Sequence, residues 1–478
     1  MSRAADTWDL VVLGSGPAGQ KAAIQAAKAG RRALVVEQDS TVGGACVHRG
    51  TIPSKTLRET ALAFSAYRRK SGDVVDATMP EEVQIAALTA RMDGVILAHE
   101  KFIDDQLRRN GVEVWHGRAR FTSPEMVEVV EVSGRARRAR GKAIVIATGS
   151  RPRDPDEIPI DHENVFDSDS MLSMRYLPRS LTVLGGGVIA SEYASIFAAL
   201  GVEVIMVDKA PRPLGFVDGE VVSRFVTAFE RAAGRFVGGA KIERVEFDGL
   251  ATVETTLGSG EVLRTDKLLC ALGRVANVEG LCLEAAGLSV NARGLIAVDA
   301  SYRTAVGHVY AVGDVIGAPS LASSSMEQGR RAARHALGLD VGDAGALSPL
   351  GIYTIPEISS VGLTEDEARR AGGAIVGRAN FAELARGQIG AVEEGLLKLV
   401  ADARGERLLG VQVIGEGASE LVHIGQLAMM GNLPVDTFVD CNFNFPTLAE
   451  AYRVAALDIA GRRVVSETRR AAGLEVVR

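Results

Sequence analysis

The stretch that decides the fold is residues 9–37, DLVVLGSGPAGQKAAIQAAKAGRRALVVE. It contains a short apolar run, a glycine-rich turn, an alanine-rich helical segment and a second apolar run that ends at Glu37. Gly14, Gly16 and Gly19 allow a tight turn and let the backbone approach a pyrophosphate at the helix N-terminus. Glu37 lies 23 positions after Gly14, where a carboxylate can accept hydrogen bonds from ribose hydroxyls. The stretch therefore predicts a dinucleotide-binding unit; a purely structural glycine turn is the alternative.

A second unit of the same kind begins at Leu181. Its apolar run leads into the turn Gly185-Gly186-Gly187, which is followed by a helical segment and a strand that ends at Asp208. Ala190 takes the place of the third glycine, where only a small residue is needed for packing of the helix against the strand. Asp208 again lies 23 positions after the first glycine of its turn. Two dinucleotide sites are therefore predicted, and a decayed duplicate is the alternative for the second.

Length and composition are typical of a folded protein with two to four domains, because 478 residues exceed what one hydrophobic core supports. A net charge of -6 gives no general attraction to nucleic acid, and we interpret the basic run Arg135–Lys142 as a solvated hairpin flank. The apolar region Leu181–Val207 is broken by Glu192 and Glu203, so no membrane span is expected. The chain start lacks a secretory signal, and its four cysteines show neither a CxxC pair nor metal-binding spacing. A cytoplasmic location and no metal site are therefore expected.

The order of the motifs resembles that of a known family. The chain carries, in this order, GSGPAG at 14–19, GGACVHRGTIPSK at 43–55, ATG at 147–149, GGGVIASE at 185–192, VYAVGD at 309–314 and FNFPTLAEAY at 443–452. Together these motifs resemble the pyridine nucleotide-disulfide oxidoreductases, the flavoprotein family that contains dihydrolipoamide dehydrogenase and glutathione reductase. The resemblance covers nearly the whole chain.

The resemblance implies an α/β fold with two Rossmann-like dinucleotide-binding domains, one for FAD and one for NAD(P), and a C-terminal α+β dimerisation domain. The FAD-binding domain is expected to comprise residues 1–150 and 277–348. The NAD(P)-binding domain is expected at 151–276 and the interface domain at 349–478. At least a homodimer is expected, because the partner chain completes the pocket in that family.

The resemblance also implies roles for individual residues. Lys55 would lie near flavin N5 and pair with Glu192, and Thr51 is the third position assigned to the catalytic centre. FAD would be held by Gly14, Gly16, Gly19, Glu37, Gln38, Gly44, Cys46, Lys55, Thr148, Gly149, Asp314 and Ala322. The nicotinamide nucleotide would be held by Gly185, Gly187, Asp208 and Gly273.

Three positions depart from the disulfide reductases of that family. Thr51 stands where those enzymes have the second cysteine of a redox disulfide with Cys46, and a hydroxyl cannot take part in thiol–disulfide exchange. Phe445 stands where they have a histidine before a proline, and Phe443 occupies the other histidine position. A phenyl ring can neither accept nor donate a proton. The electron shuttle and the proton shuttle of thiol chemistry are therefore both absent, although both nucleotide sites remain.

Hydride transfer is the chemistry that remains, because a reduced nicotinamide can pass hydride to a flavin without a protein nucleophile or base. Lys55 would stabilise negative charge on the reduced flavin; a structural ion pair with Glu192 is the alternative. The sequence around Thr51 and the C-terminal motif are most similar to family members that exchange hydride between nicotinamide nucleotides. We therefore expect FAD-dependent, ping-pong exchange between NADPH and NAD+, with NAD(H) and NADP(H) as substrates. An NAD(P)H oxidase or diaphorase and a non-catalytic redox sensor are the alternatives.

Two questions stay open at this point. Asp208 favours a free ribose 2'-hydroxyl, whereas Lys209 and Arg212 could attract a 2'-phosphate or could be solvated loop charges. Cys46 could form a sulfenic acid if His48 lowered its pKa, or it could be inert packing.

Overall fold

The computed structural model describes residues 6–70, 85–342, 347–392 and 394–471. No helix within these ranges combines the length and the apolar character needed to cross a lipid bilayer. The α-helices of the described residues, in chain order, are α1 (Pro17–Lys28), α2 (Gly44–His48), α3 (Thr51–Lys70), α4 (Ile85–Arg109), α5 (Val188–Ala199), α6 (Gly219–Arg231), α7 (Ala322–Ala336), α8 (Glu365–Gly372), α9 (Ala385–Gly390), α10 (Ala418–Met430), α11 (Asp436–Asp440) and α12 (Glu450–Ala471).

The strands of the same residues form five sheets. In chain order they are β1 (Asp6–Leu13), β2 (Ala33–Glu37), β3 (Glu113–His116), β4 (Arg118–Ser123), β5 (Met126–Val130), β6 (Ala136–Ile146), β7 (Ser150–Pro152), β8 (Val165–Asp167), β9 (Ser180–Leu184), β10 (Glu203–Asp208), β11 (Gly234–Gly238), β12 (Ile242–Phe247), β13 (Val253–Leu257), β14 (Val262–Thr265), β15 (Lys267–Cys270), β16 (Arg274–Ala276), β17 (Val309–Ala311), β18 (Leu350–Ile352), β19 (Ile358–Gly362), β20 (Ile375–Asn380), β21 (Leu396–Ala401) and β22 (Leu408–Ile414).

The first sheet has the order β3-β2-β1-β6-β5-β4, and β17 also pairs with β6. Strands β3, β2, β1, β6 and β17 run parallel, whereas β4 and β5 form an antiparallel extension. Residues 10–13 of β1 are fully buried, as expected for a parallel strand that is covered on both faces. Helix α1 follows β1 and packs against α7. The carboxyl ends of β1 and β2 therefore bring the first glycine turn and Glu37 to one edge of the sheet.

The second parallel sheet has the order β11-β10-β9-β15-β8. Strand β9, the second glycine turn, α5 and β10 repeat the arrangement of the first unit, so Asp208 lies at the same sheet edge as Gly185. An antiparallel sheet, β12-β13-β14, accompanies it. The short antiparallel strands β7 and β16 pair with each other. They lie where the chain leaves the first parallel sheet for the second and where it returns.

The C-terminal sheet is antiparallel, with the order β18-β19-β22-β21-β20. Helix α12 packs against β20 and β21, and α10 packs against β22 and β19. Buried aliphatic and aromatic side chains fill the space between them, with Phe381 and Tyr452 fully inaccessible to solvent. The prediction of two Rossmann-like units and a C-terminal α+β domain is confirmed.

Most of the basic run Arg135–Lys142 belongs to β6, which begins at Ala136 and pairs with β5. Its arginines face acidic side chains: Arg138 Nε donates to Glu128 Oε1 at 3.5 Å, and Arg140 donates to Glu125. Neighbouring carboxylates therefore balance the positive charge of this hairpin.

A buried charge cluster joins the second parallel sheet's domain to the C-terminal domain. Lys398 of β21 is only 2% exposed, and its Nζ donates to both oxygens of Asp218 at 2.9 and 3.0 Å. Glu220 at 3.1 Å and Glu365 at 2.6 Å complete the set of carboxylates around it. Asp218 is also the N-cap of α6. The cluster therefore fixes the N-terminus of α6 against the C-terminal sheet.

The acid stability of the protein is expected to depend on Glu365. Hydrogen bonds and charges from Lys398, Arg369 and Arg378 outweigh burial and lower the pKa of Glu365 from 4.5 to about 2. Its contribution to stability is therefore present above pH 4.5 and is lost as the pH falls towards 2. Measured by urea unfolding, that contribution should be about 3 kcal/mol. The Glu365→Gln variant should lose less stability between pH 5 and pH 3 than the unsubstituted protein; equal losses contradict the assignment.

Candidate active site

The first glycine turn has the geometry of a phosphate-binding cradle. Gly14 has φ +104°, and a Cβ there would lie 2.4 Å from the carbonyl oxygen of Ala147. A Cβ at Gly19 would lie 1.9 Å from the carbonyl oxygen of Gly14, so α1 packs too closely on the turn for any side chain. A Cβ at Gly16 would meet nothing within 4 Å. The turn is therefore closed at its first and third glycines and open at the second, which fits the approach of a pyrophosphate.

Glu37 is buried and held by the same turn. Its Oε2 accepts from the backbone N–H of Ser15 at 2.9 Å and from the Ser15 hydroxyl at 2.6 Å, and its Oε1 accepts from Asp39 N–H at 3.0 Å. The Ser15 hydroxyl also accepts from Gly43 N–H at 2.9 Å. Ser15 thus links the first turn, the acid at the end of β2 and the next motif, a role that the sequence patterns did not identify. Carboxylate lone pairs remain for a ribose.

Other residues predicted to bind FAD lie around this turn. Gly44 has φ +63° and lies against Gly16, since a Cβ would come within 2.9 Å of the Gly16 Cα. Gln38 is exposed immediately after β2. Gly149 has φ +69° with open space where a Cβ would lie, and Ala322 is the first residue of α7, where helix N–H groups are free.

Asp314 and Thr148 are both held by polar contacts. Ser150 Oγ donates to Asp314 Oδ2 at 2.7 Å, and Arg274 Nε in turn donates to Ser150 Oγ at 2.8 Å. Thr148 Oγ1 donates to the carbonyl oxygen of Asn277 at 2.7 Å. Because Arg274 directly follows Gly273, these contacts connect the two predicted nucleotide sites.

The second glycine turn repeats the cradle. A Cβ at Gly185, which has φ +115°, would lie 2.6 Å from the Ala271 carbonyl oxygen, whereas a Cβ at Gly187 or Gly273 would meet nothing within 4 Å. Asp208 Oδ1 accepts from Ala210 N–H at 2.6 Å. The residues therefore fit a second dinucleotide at this sheet edge.

The basic residues near Asp208 differ in how they are held. Lys209 is exposed, whereas Arg212 is half-buried and donates to the carbonyl oxygen of Gly215 at 3.0 Å.

Lys55 and Glu192 form an ion pair, although they are 137 positions apart. Lys55 is the fifth residue of α3 and Glu192 lies in α5, and their side chains are 24% and 7% exposed. Glu192 Oε1 also accepts from Tyr353 N–H at 2.8 Å, and Lys55 Nζ lies 5.0 Å from the centroid of the Tyr353 ring. Tyr353 was missed by the sequence patterns. The ammonium of Lys55 is thus the accessible member of a fixed pair.

Cys46 and Thr51 lie close together, and the Thr51 hydroxyl lowers the pKa of the Cys46 thiol. Burial raises the pKa of Cys46, and this effect exceeds the lowering by Thr51 and Lys55. His48 is not among the groups that shift the pKa of Cys46, and its Nε2 lies 2.9 Å from the Val42 carbonyl oxygen as a hydrogen-bond partner. A thiol with a raised pKa is a poor nucleophile, so the position favours packing over sulfur chemistry.

The C-terminal motif lies at the start of α12. Phe445 is 74% exposed, whereas Phe443 packs against the core of the C-terminal domain. Glu450 begins α12 and accepts from Thr447 N–H at 3.5 Å. An exposed phenyl ring of this size is suited to burial against another surface.

Comparisons with known proteins agree with this arrangement. Residues 8–329 match the family model described as pyridine nucleotide-disulphide oxidoreductase, and residues 348–456 match its dimerisation domain. The chain is 43% identical over 466 residues to a soluble pyridine nucleotide transhydrogenase of Mycobacterium bovis, with 97% of this chain and 99% of the relative covered. It is 41% identical over 475 residues to a protein of the same name from Vibrio vulnificus, with 95% of this chain and 98% of the relative covered.

Solved structures show the same likeness. LpdA from Mycobacterium tuberculosis superposes with a TM-score of 0.88 at 26% identity, covering 95% of this chain and 99% of that one. The HOCl-induced flavoprotein disulfide reductase RclA from Escherichia coli, in a Cu(II) complex, superposes with a TM-score of 0.85 at 26% identity. The match covers 95% of this chain and 99% of that one. The chain therefore belongs to the pyridine nucleotide-disulphide oxidoreductases, a family of FAD-dependent enzymes that use NAD(P)H, and it includes their dimerisation domain.

Proposed function

We propose that the protein is an FAD-dependent, Si-specific NAD(P)+ transhydrogenase that exchanges hydride between NADPH and NAD+ by a ping-pong mechanism. One observation carries the proposal: the Lys55–Glu192 pair is formed, whereas Thr51 and Phe445 replace the groups that thiol substrates need. The relatives named soluble pyridine nucleotide transhydrogenase support it.

Different residues would bind different parts of FAD. Bound FAD supplies a two-electron carrier. The turn at Gly14 and Gly16 binds its pyrophosphate, with Glu37 on the ribose and Asp314 on the ribityl chain. The remaining positions that we assign to this cofactor are Gly19, Gln38, Gly44, Cys46, Thr148, Gly149 and Ala322.

Nicotinamide nucleotides would bind one after the other at the second turn, at Gly185 and Gly187, with Asp208 on the ribose and Gly273 closing the site. Lys55 fixes a positive charge where negative charge develops, and Glu192 holds that ammonium in place. Hydride transfer beside this ion pair needs no proton carrier, which agrees with a phenyl ring at position 445.

We also propose a cytoplasmic homodimer or higher homo-oligomer assembled through residues 348–456. The FAD-binding domain would comprise 1–150 and 277–348, the NAD(P)-binding domain 151–276 and the interface domain 349–478.

The test is a spectrum of the purified yellow protein without oxygen. NADPH should bleach the flavin absorbance, and NAD+ added after removal of NADP+ should restore it. Steady-state rates at several concentrations of both nucleotides should give parallel double-reciprocal lines, as in double displacement. A sequential pattern, oxygen consumption that matches NADPH consumption, or rapid turnover with lipoamide or glutathione contradicts the proposal.

The Cys46→Ser variant should keep its transhydrogenase activity. The thiol is half-buried beside Thr51 and its pKa is raised, so no covalent step is expected from it. We expect a kcat within about threefold of the unsubstituted enzyme, because the change is small in volume and polar contacts remain. Loss of more than tenfold, at unchanged FAD content, would show that sulfur chemistry takes part.

A further inference from the structure

A segment at the start of the C-terminal domain, residues 353–357, is fastened to the helix that carries Glu192. Tyr353 N–H donates to Glu192 Oε1 at 2.8 Å, and Ile355 N–H donates to Ser195 Oγ at 3.0 Å. Both acceptors belong to α5 and lie three positions apart, on one face of the helix. The segment therefore occupies one oxygen of the carboxylate and leaves the other to its lysine partner.

The same segment is fastened to the helix that carries Lys55. Arg58 lies one turn further along α3 and is buried. Its Nε donates to the Thr354 carbonyl oxygen at 3.1 Å, and its Nη2 donates to Glu357 Oε2 at 3.0 Å. Glu357 is fixed in turn, since its Oε1 accepts from Ser419 N–H at 2.6 Å. Segment 353–357 thus bridges α3 and α5 at the ion pair.

The Tyr353 ring provides a third contact. Its centroid lies 5.0 Å from Lys55 Nζ and 5.9 Å from the guanidinium carbon of Arg58. Burial raises the pKa of the Tyr353 phenol, so the ring stays neutral, and its negative face attracts cations. Tyr353 therefore acts on the Lys55 ammonium in two ways. Its backbone N–H holds the carboxylate that pairs with the ammonium, and its ring attracts the ammonium directly.

We infer that Tyr353 is a positioning residue for hydride transfer, which fixes the Lys55–Glu192 pair through its backbone N–H and its ring. The dimerisation domain thereby sets the geometry of a centre whose two charged groups come from α3 and α5. The inference rests on the part of the proposed function that places this pair beside the flavin and the nicotinamide.

Chemical labelling of the holoenzyme tests the contact without measuring activity. Lys55 acetylation by limiting acetic anhydride, followed by peptide mass spectrometry, reports how firmly the ammonium is held. Tyr353→Leu should label Lys55 about fivefold faster, because the ammonium then loses one of the two groups that hold it in place. Tyr353→Phe should label it at the original rate.

A control with the same distance between lysine and ring exists elsewhere in the chain. Lys267 Nζ also lies 5.0 Å from the centroid of a tyrosine ring, that of Tyr176. Tyr176→Leu should speed the labelling of Lys267 and not of Lys55, and Tyr353→Leu should do the reverse. Faster labelling of both lysines in either variant would indicate general loosening and would overturn the inference.

Stopped-flow bleaching of the flavin by NADPH tests the consequence. This half-reaction needs no second nucleotide, so it is common to a transhydrogenase and an oxidase. Tyr353→Leu should lower the limiting rate about tenfold with little change in half-saturating NADPH, whereas Tyr353→Phe should restore it. Pentafluorophenylalanine at position 353 keeps the shape of the ring but reverses the charge of its face, and it should behave like leucine.

The outcomes separate the two proposals. A limiting rate for Tyr353→Leu or for the fluorinated ring that equals the original rate overturns the role of Tyr353. Flavin that NADPH bleaches but NAD+ does not restore contradicts the transhydrogenase, and this result comes from the unsubstituted enzyme alone.

Discussion

Replacing Lys55 with methionine should lower the kcat for exchange of hydride between NADPH and NAD+ by about 10²- to 10³-fold. The ammonium is the cation paired with Glu192, and a preorganised charge that is removed from a protected site costs a rate factor of this size. Methionine keeps much of the length and packing of the side chain, so the loss reports the charge. Steady-state kinetics with both nucleotides, normalised to FAD content, measure it.

The control for this substitution addresses the carboxylate that is left behind. Glu192 is 7% exposed, and without its lysine it becomes a buried charge that still accepts from Tyr353 N–H. Unpaired buried charge destabilises the fold. The double variant Lys55→Met, Glu192→Gln should therefore recover thermal stability while kcat stays low. Recovery of kcat in the double variant would show that the single substitution acts by disturbing the fold.

The fold was predictable because its deciding signals are local. Each glycine turn, its flanking strands and the terminal acid lie within about 30 consecutive residues, and the turn needs glycine for steric reasons. The same reasoning located Glu37 and Asp208 at the correct sheet edge. The motif around Lys55 was recognisable from the order of motifs in the chain. The family resemblance implied its pairing with Glu192, and the docking of α3 against α5 brings the two side chains together.

The residues that the sequence did not reveal make contacts across long separations. Tyr353 meets Glu192 over 161 positions, and Lys398 meets Asp218 over 180. Neither has a spacing pattern, because such contacts depend on how whole domains pack. Ser15 was overlooked for another reason: it lies between two glycines whose spacing defines the motif, and its hydroxyl becomes informative only once Glu37 is seen to accept from it. Lys398, in a strand of apolar residues, was a detectable anomaly, since lysine is rarely fully buried unless it is paired.

Replacing Lys398 with methionine should lower the free energy of unfolding by about 3 to 5 kcal/mol, since it leaves buried carboxylates without their cation. Asp218 is 2% exposed, so it cannot regain water without moving the start of α6. Urea unfolding at pH 7, followed by circular dichroism, measures the change. The comparison is Arg235→Met, which breaks an ion pair with Glu261 whose partners are 56% and 44% exposed, and should cost no more than about 1 kcal/mol. Similar losses in both variants would show that burial of the Lys398 cluster adds nothing to the attachment of the nucleotide-binding domain to the C-terminal domain.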